Sequence, residues 1–70
     1  MLEKEEIKEL IEEIKRGAED TALDSISRID FKDYASHKAD IENELQQLNL
    51  LDRVEIKYNF MGISIKYKRV

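Results

Sequence analysis

The chain has 70 residues, with 16 acidic and 12 basic side chains, a formal charge of −4, 41% hydrophobic and 40% charged residues, one histidine and neither cysteine nor proline. A single domain of this size holds only ~3–5 kcal/mol of net stability, and without cysteines no disulfide can add to it, so close helix packing or self-association has to compensate. The apolar content excludes a disordered chain, and the scatter of charge excludes the ~18-residue apolar run that spans a bilayer, so no membrane contact is expected.

From the N-terminus, Ile7, Leu10, Ile11 and Ile14 recur at i, i+3, i+4 and i+7 in a Glu/Lys background, the signature of one apolar stripe on a helix. That helix is expected over about residues 3–16, with acids in its first turn, Lys15 and Arg16 in its last, and Gly17 as a left-handed cap. Because Ala18, Ala22, Ile26 and Ile29 prolong the stripe, one helix over residues 3–28 is the alternative; the Ile29/Phe31 alternation supports a competing strand over residues 26–31. Asp30 or Asp33 can cap the next segment, where Phe31, Tyr34, Ile41, Leu45 and Leu48 fall on helical spacing up to Asn49. One long helix or two with a bend near residues 36–38 fits there, and Asn49 can take the left-handed conformation that ends it.

From Arg53 the period drops to two. Val54, Ile56, Tyr58 and Phe60 alternate with Glu55, Lys57 and Asn59, and Ile63, Ile65 and Tyr67 alternate with Ser64, Lys66 and Lys68, so a β-hairpin is expected. With Met61-Gly62 as a two-residue turn, Phe60 faces Ile63 and Tyr58 faces Ile65; a four-residue turn over residues 59–62 keeps the same faces. The expected fold is therefore α+β, one domain over residues 1–70, with two or three N-terminal helices covering a C-terminal antiparallel β-hairpin. Its expected core is Ile7, Leu10, Ile11, Ile14, Ala22, Ile26, Ile41, Leu45, Leu48, Val54, Ile56, Tyr58, Ile63, Ile65 and Tyr67.

Charge is segregated along the chain: residues 1–24 hold nine acids and four bases, residues 25–51 five and three, and residues 52–70 two and five. Glu5, Glu9, Glu12 and Glu13 form the acidic face of the first helix, a candidate partner-binding surface that could imitate DNA phosphates in a basic groove. The plainer account is a solvated face interleaved with Lys4, Lys8 and Lys15. Arg53, Lys57, Lys66, Lys68 and Arg69 make the hairpin basic, fit either to contact nucleic-acid phosphates or to guard a strand edge against aggregation. Tyr58, Phe60 and Tyr67 share the apolar face and are expected in the core, since base stacking would need them on the solvent side.

His37, flanked on a helix by Asp33 and Asp40, is a weak pattern for a metal or a general base. Ser25, Ser27 and Ser36 lack a glycine elbow, and two glycines are too few for a phosphate-cradling loop. No catalytic residue, cofactor or metal is therefore assigned.

The segment with Ile41, Leu45 and Leu48, followed by Leu50-Leu51-Asp52-Arg53 and a hairpin, resembles the last helix and wing of winged-helix domains over about residues 31–69. In that resemblance Phe31 to Ser36 takes the place of the short helix before the recognition helix. The resemblance implies DNA contact by the second helix, but its outward face would be drawn from Lys38, Asp40, Glu42, Asn43, Glu44, Gln46 and Gln47. Three acids against one base repel phosphates, so only the wing suits nucleic acid. The expected function is that of a small, non-catalytic regulatory or interaction protein. It is expected in the cytoplasm, because Met-Leu-Glu-Lys-Glu-Glu has no secretory-signal character, to bind a protein partner not identified by sequence, and to self-associate. Weak nucleic-acid binding by the hairpin, or DNA mimicry by the first helix, are the alternatives.

Overall fold

The computed structural model describes residues 3–20 and 22–68. Among them, helix α1 spans Lys4–Glu19, strand β1 Ser25–Arg28, helix α2 Lys38–Gln47, strand β2 Val54–Asn59 and strand β3 Gly62–Tyr67, with 3-10 turns at Ala35–His37 and Leu51–Arg53. The architecture is α+β: two helices and a three-stranded antiparallel sheet in the order β1-β3-β2. Both helices lay their apolar residues on one face of the sheet. Ile7, Leu10, Ile11, Ile14 and Ala18 from α1, with Ile41 and Leu45 from α2, form one buried cluster with Val54, Ile63, Ile65 and Tyr67.

Helix α1 stops at neither expected boundary. It runs through Gly17 and ends at Asp20, whose N–H donates to the Gly17 carbonyl at 3.2 Å. Glycine is required at position 17 for packing, not for a left-handed cap. A Cβ there would lie 2.0 Å from Tyr67 Oη and 2.6 Å from Cζ. The ring fits against the helix backbone and its hydroxyl donates to the Ile14 carbonyl at 2.9 Å, a buried bond tying the last strand to the first helix. Beyond Asp20 the helical stripe is coincidental. Asp20 Oδ1 accepts from the Ala22 N–H at 3.0 Å and turns the chain, leaving Ala22 exposed rather than in the core.

The next segment is the strand β1, close to the competing reading but over Ser25–Arg28. It pairs with β3 in the register Ser25↔Lys66, Ile26↔Ile65, Ser27↔Ser64 and Arg28↔Ile63. The backbone partners that β3 offers outweigh a helix built on Ser25 and Ser27, both indifferent helix formers. The hairpin is therefore part of a larger sheet, with β3 central.

The turn between β2 and β3 is the two residues Phe60-Met61, one position before the expected Met61-Gly62, and it sets the strand register expected for the four-residue turn. Val54↔Tyr67, Ile56↔Ile65, Tyr58↔Ile63 and Asn59↔Gly62 pair across it. Gly62 has φ 151°, and a Cβ on it would sit 1.9 Å from the Arg28 carbonyl oxygen, so only glycine fits where the hairpin meets β1. This register moves Phe60 out of the strand and into the turn, 82% exposed, correcting its place in the expected core.

Helix α2 ends as expected at Asn49, with φ 58°. The Leu50 N–H donates to the Leu45 carbonyl at 2.8 Å and the Asn49 N–H to the Gln46 carbonyl at 3.0 Å, the paired bonds of a Schellman cap, and Leu50 packs into the core. Leu48 falls on the solvent side of that cap, 40% exposed, instead of in the core. The helix expected over residues 31–36 reduces to the single turn Ala35–His37, entered through Asp33, which accepts from the Ser36 N–H at 3.2 Å and from its hydroxyl. Tyr34, on the apolar spacing of this stretch but absent from the expected core, is fully buried and joins it.

Candidate interaction surfaces

Strand alternation places Val54, Ile56 and Tyr58, Ile63, Ile65 and Tyr67, and Ile26 on the inner face, which the helices cover. The outer face is what remains. In register across it lie the rows Glu55, Lys66, Ser25 and Lys57, Ser64, Ser27. At one end the Lys68 N–H donates to the Arg53 carbonyl at 2.8 Å, bringing these two basic residues side by side. Arg53, Lys57, Lys66 and Lys68 are all exposed, and Glu55 is the acid set among them. The structure thus gathers four of the basic residues singled out in the sequence; Arg69 lies outside the described residues. Short serine side chains leave the middle of this face flat.

At the opposite end of the sheet, Phe60 and Met61 form the β2–β3 turn beside the loop that follows β1. The Phe31 N–H donates to the Met61 carbonyl at 2.8 Å, so the two loops meet, and Ile29 and Phe31 are 67% and 68% exposed beside them. Phe31 has φ 57°, a left-handed conformation unusual for an aromatic residue and costing ~1 kcal/mol or more. Such strain persists only where the surroundings impose it. Here they do so from both sides of Phe31. Arg28 donates from Nε at 2.9 Å and Nη2 at 2.7 Å to Glu13 Oε2 on α1, and the Lys32 ammonium pairs with Glu6 of the same helix. The Tyr34 hydroxyl donates to Asp30 Oδ2 at 2.6 Å.

These partners perturb one another. Burial draws the Arg28 pKa down but its hydrogen bond with Glu13 and the proximity of Tyr34 outweigh that, and the net direction is up. Burial raises the Tyr34 hydroxyl, and its bond to Asp30 raises it further. For Asp30, burial acts upward, yet the bonds from Tyr34 and from the Lys32 backbone prevail and hold the carboxyl below its ordinary range. The loop is anchored as an ionised, hydrogen-bonded unit.

The acidic face of α1 reaches the edge of the sheet at Glu13, which pairs with Arg28 of β1. Glu5, Glu9 and Glu12 are exposed, whereas Glu13 is half-buried and engaged by Arg28. An open groove of about 700 Å³ runs along these four residues, and Lys8, Arg16 and Arg28 line it with them. Four carboxylates against three cations leave this face far less acidic than the residue list suggests. A second groove of about 340 Å³ lies where Lys38 and Glu42 of α2 meet β2, and the Tyr58 hydroxyl donates to Glu42 Oε2 there at 3.3 Å. Burial first, then the Glu42 charge, push that hydroxyl well above its usual range, so it stays a neutral donor.

His37 and its flanking acids do not converge. His37 Nδ1 is 3.9 Å from Asp40 Oδ2, while Asp33 is turned to Ser36, whose side-chain and backbone donors hold its carboxyl low. Among the described residues no three His, Asp or Glu side chains lie close enough to share a metal ion, and no helix is long and apolar enough to cross a membrane. The exposed apolar tip is the feature sequence reasoning missed, because it joins two loops thirty residues apart; apolar Ile29 and Phe31 beside Asp30, Lys32 and Asp33 were its only local trace. Comparison of the chain with protein-family models, with curated proteins and with solved structures finds no match.

Proposed function

We propose that this is a small non-catalytic interaction protein of the cytoplasm, acting by binding another macromolecule through the outer face of its sheet and the adjoining tip. The observation that carries this reading is Phe31, an aromatic residue held in a left-handed conformation and 68% exposed beside the still more exposed Phe60. Folding alone gains little from an exposed ring in a costly conformation, whereas an aromatic anchor is what a binding surface uses. Self-association belongs to the same reading, as a second copy could cover the tip, and sedimentation at tens of micromolar would show it as a species above 8.3 kDa.

The arrangement of elements favours one particular version. Helix, strand, helix, strand, strand, with the sheet order β1-β3-β2, is the order a winged-helix domain would have, with the turn Ala35–His37 in place of its middle helix. In that version α2 is the recognition helix, and its exposed Asp40 and Glu44 repel phosphates, so nucleic acid would meet the sheet and its hairpin. DNA mimicry by α1 draws less support, given the cations interleaved in its groove.

The test compares the wild-type protein with a Phe31→Ser/Phe60→Ser variant, each immobilised and exposed to lysate with and without nuclease. A macromolecule retained by the wild type and lost by a variant that melts normally supports the reading. Identical retention by the two would overturn it.

A further inference from the structure

We infer that the outer face of the sheet, together with the Phe31/Phe60 tip, is a binding site for single-stranded nucleic acid. This rests on the interaction reading above and names its partner. Three features of the face point the same way. Arg53, Lys57, Lys66 and Lys68 against Glu55 give it a net charge of three positive units, while the molecule as a whole is at −4, so the cations are concentrated on one side. From Arg53 to Asn59 the strip covers six residue steps, roughly 20 Å of extended strand, and so offers a linear track for a backbone of regularly spaced anions. At the end of that track are two exposed phenylalanines, the sequence-tolerant stacking partners of unpaired bases.

The serines sharpen the choice of partner. Ser27, Ser64 and Lys57 form one cross-strand row, and Ser25, Lys66 and Glu55 the next. Short hydroxyl side chains let a sugar or base lie flat on the sheet and offer it hydrogen bonds, where long side chains would hold it away. A duplex keeps its bases stacked internally and has no use for exposed rings, whereas a single strand has every base face available. An acidic protein would satisfy the lysines but not account for two aromatic residues at the end of the row. With Lys66 partly neutralised by Glu55, about three phosphate contacts are expected, so the logarithm of affinity should fall with the logarithm of salt at a slope of about −2.

The chain has no tryptophan, so Phe60→Trp introduces a unique fluorescent reporter at an exposed position without disturbing the core. Titration of this variant with an oligothymidylate at 50 mM salt should quench its emission, since stacking brings base and indole into contact. Anisotropy of the labelled oligonucleotide should give a dissociation constant on the order of 10 µM, weakening roughly 20-fold by 200 mM salt. Phe60→Ala should weaken binding of the single strand at least fivefold, roughly the lower bound for one stacked base, and leave binding of a duplex of equal length unchanged. Lys57→Gln with Lys66→Gln and Lys68→Gln should abolish both.

Lack of binding at 50 mM salt, equal binding of duplex or polyglutamate, or binding without quenching would each overturn the assignment. Should the oligonucleotide fail while lysate retention still depends on Phe31 and Phe60, the interaction reading stands and its nucleic-acid partner is wrong. Failure of both experiments removes both.

Discussion

Inner and outer faces of the same sheet place alternate residues of the same strands in unlike surroundings. On the inner face Ile63, Ile65 and Tyr67 are essentially buried, and Tyr67 reaches past the sheet to the backbone of α1. On the outer face their neighbours Ser64, Lys66 and Lys68 are short, charged or both accessible and charged, and no element of the described chain covers them. The tip continues this contrast. Tyr34 is fully buried three residues from Phe31, which is mostly exposed and strained. Apolar residues on the inner side are buried and stabilise the fold, whereas those at the tip are exposed, so stability is assigned to one face and the proposed binding to the other.

The sharpest way to break that division is at the Gly17–Tyr67 junction. Gly17→Ala would gain ~1 kcal/mol of helix propensity. The Cβ cannot coexist with the Tyr67 ring, however, so the ring must shift at an overpacking cost of ~1–3 kcal/mol and lose its bond to Ile14, worth ~1 kcal/mol. The expected net loss is about 2 kcal/mol, a large part of the ~3–5 kcal/mol a domain of this size holds. Urea melts would measure it, and adding Tyr67→Phe, which removes the oxygen at 2.0 Å, should recover part of the loss in a double-mutant cycle.

Smaller and opposite in sign is the expected effect at the tip. Phe31→Asn replaces an aromatic residue by one that tolerates the left-handed conformation, and little burial is lost because the ring is mostly exposed. Stability should rise by up to ~1 kcal/mol while oligonucleotide binding weakens. Loss of stability in the variant would show that the ring supports the fold after all.

The smallest effect concerns the loop anchor. Asp30 has a lowered pKa in the folded protein, so its contribution is present above the ordinary carboxylate range and lost as pH falls through the depressed value. Asp30→Asn should therefore be slightly less stable than the wild type at pH 7, with the gap closing below about pH 4. Tyr34 and Tyr58 have raised pKa values, so their contribution is present below ~10 and is lost as pH rises beyond it. Parallel melts across pH for the two proteins would check the sign.

What could be read in the sequence follows from the range of the interactions involved. The hairpin, the α1 stripe and the Asn49 cap rest on neighbours within one or two turns or on strict alternation, and these were legible. Strand β1 was legible only as the competing strand over residues 26–31, because four residues with two serines become a strand only against β3, nearly forty positions away. Gly17 reads as a helix stop from its neighbours and as a packing contact only once Tyr67 arrives. Lys57, Lys66 and Lys68 could be named as basic, but their assembly on one face with Arg53 depends on the register, and a shift of two residues in that register is also what carried Phe60 from the expected core to solvent.

The division between the faces is tested most directly by one triple variant, Lys57→Gln/Lys66→Gln/Lys68→Gln, with its urea midpoint and its affinity for labelled oligothymidylate at 50 mM salt measured on the same preparation. The account predicts stability within ~0.5 kcal/mol of the wild type, as for surface changes in general, together with loss of binding. Undiminished binding, or a fold that collapses with the lysines, would contradict it.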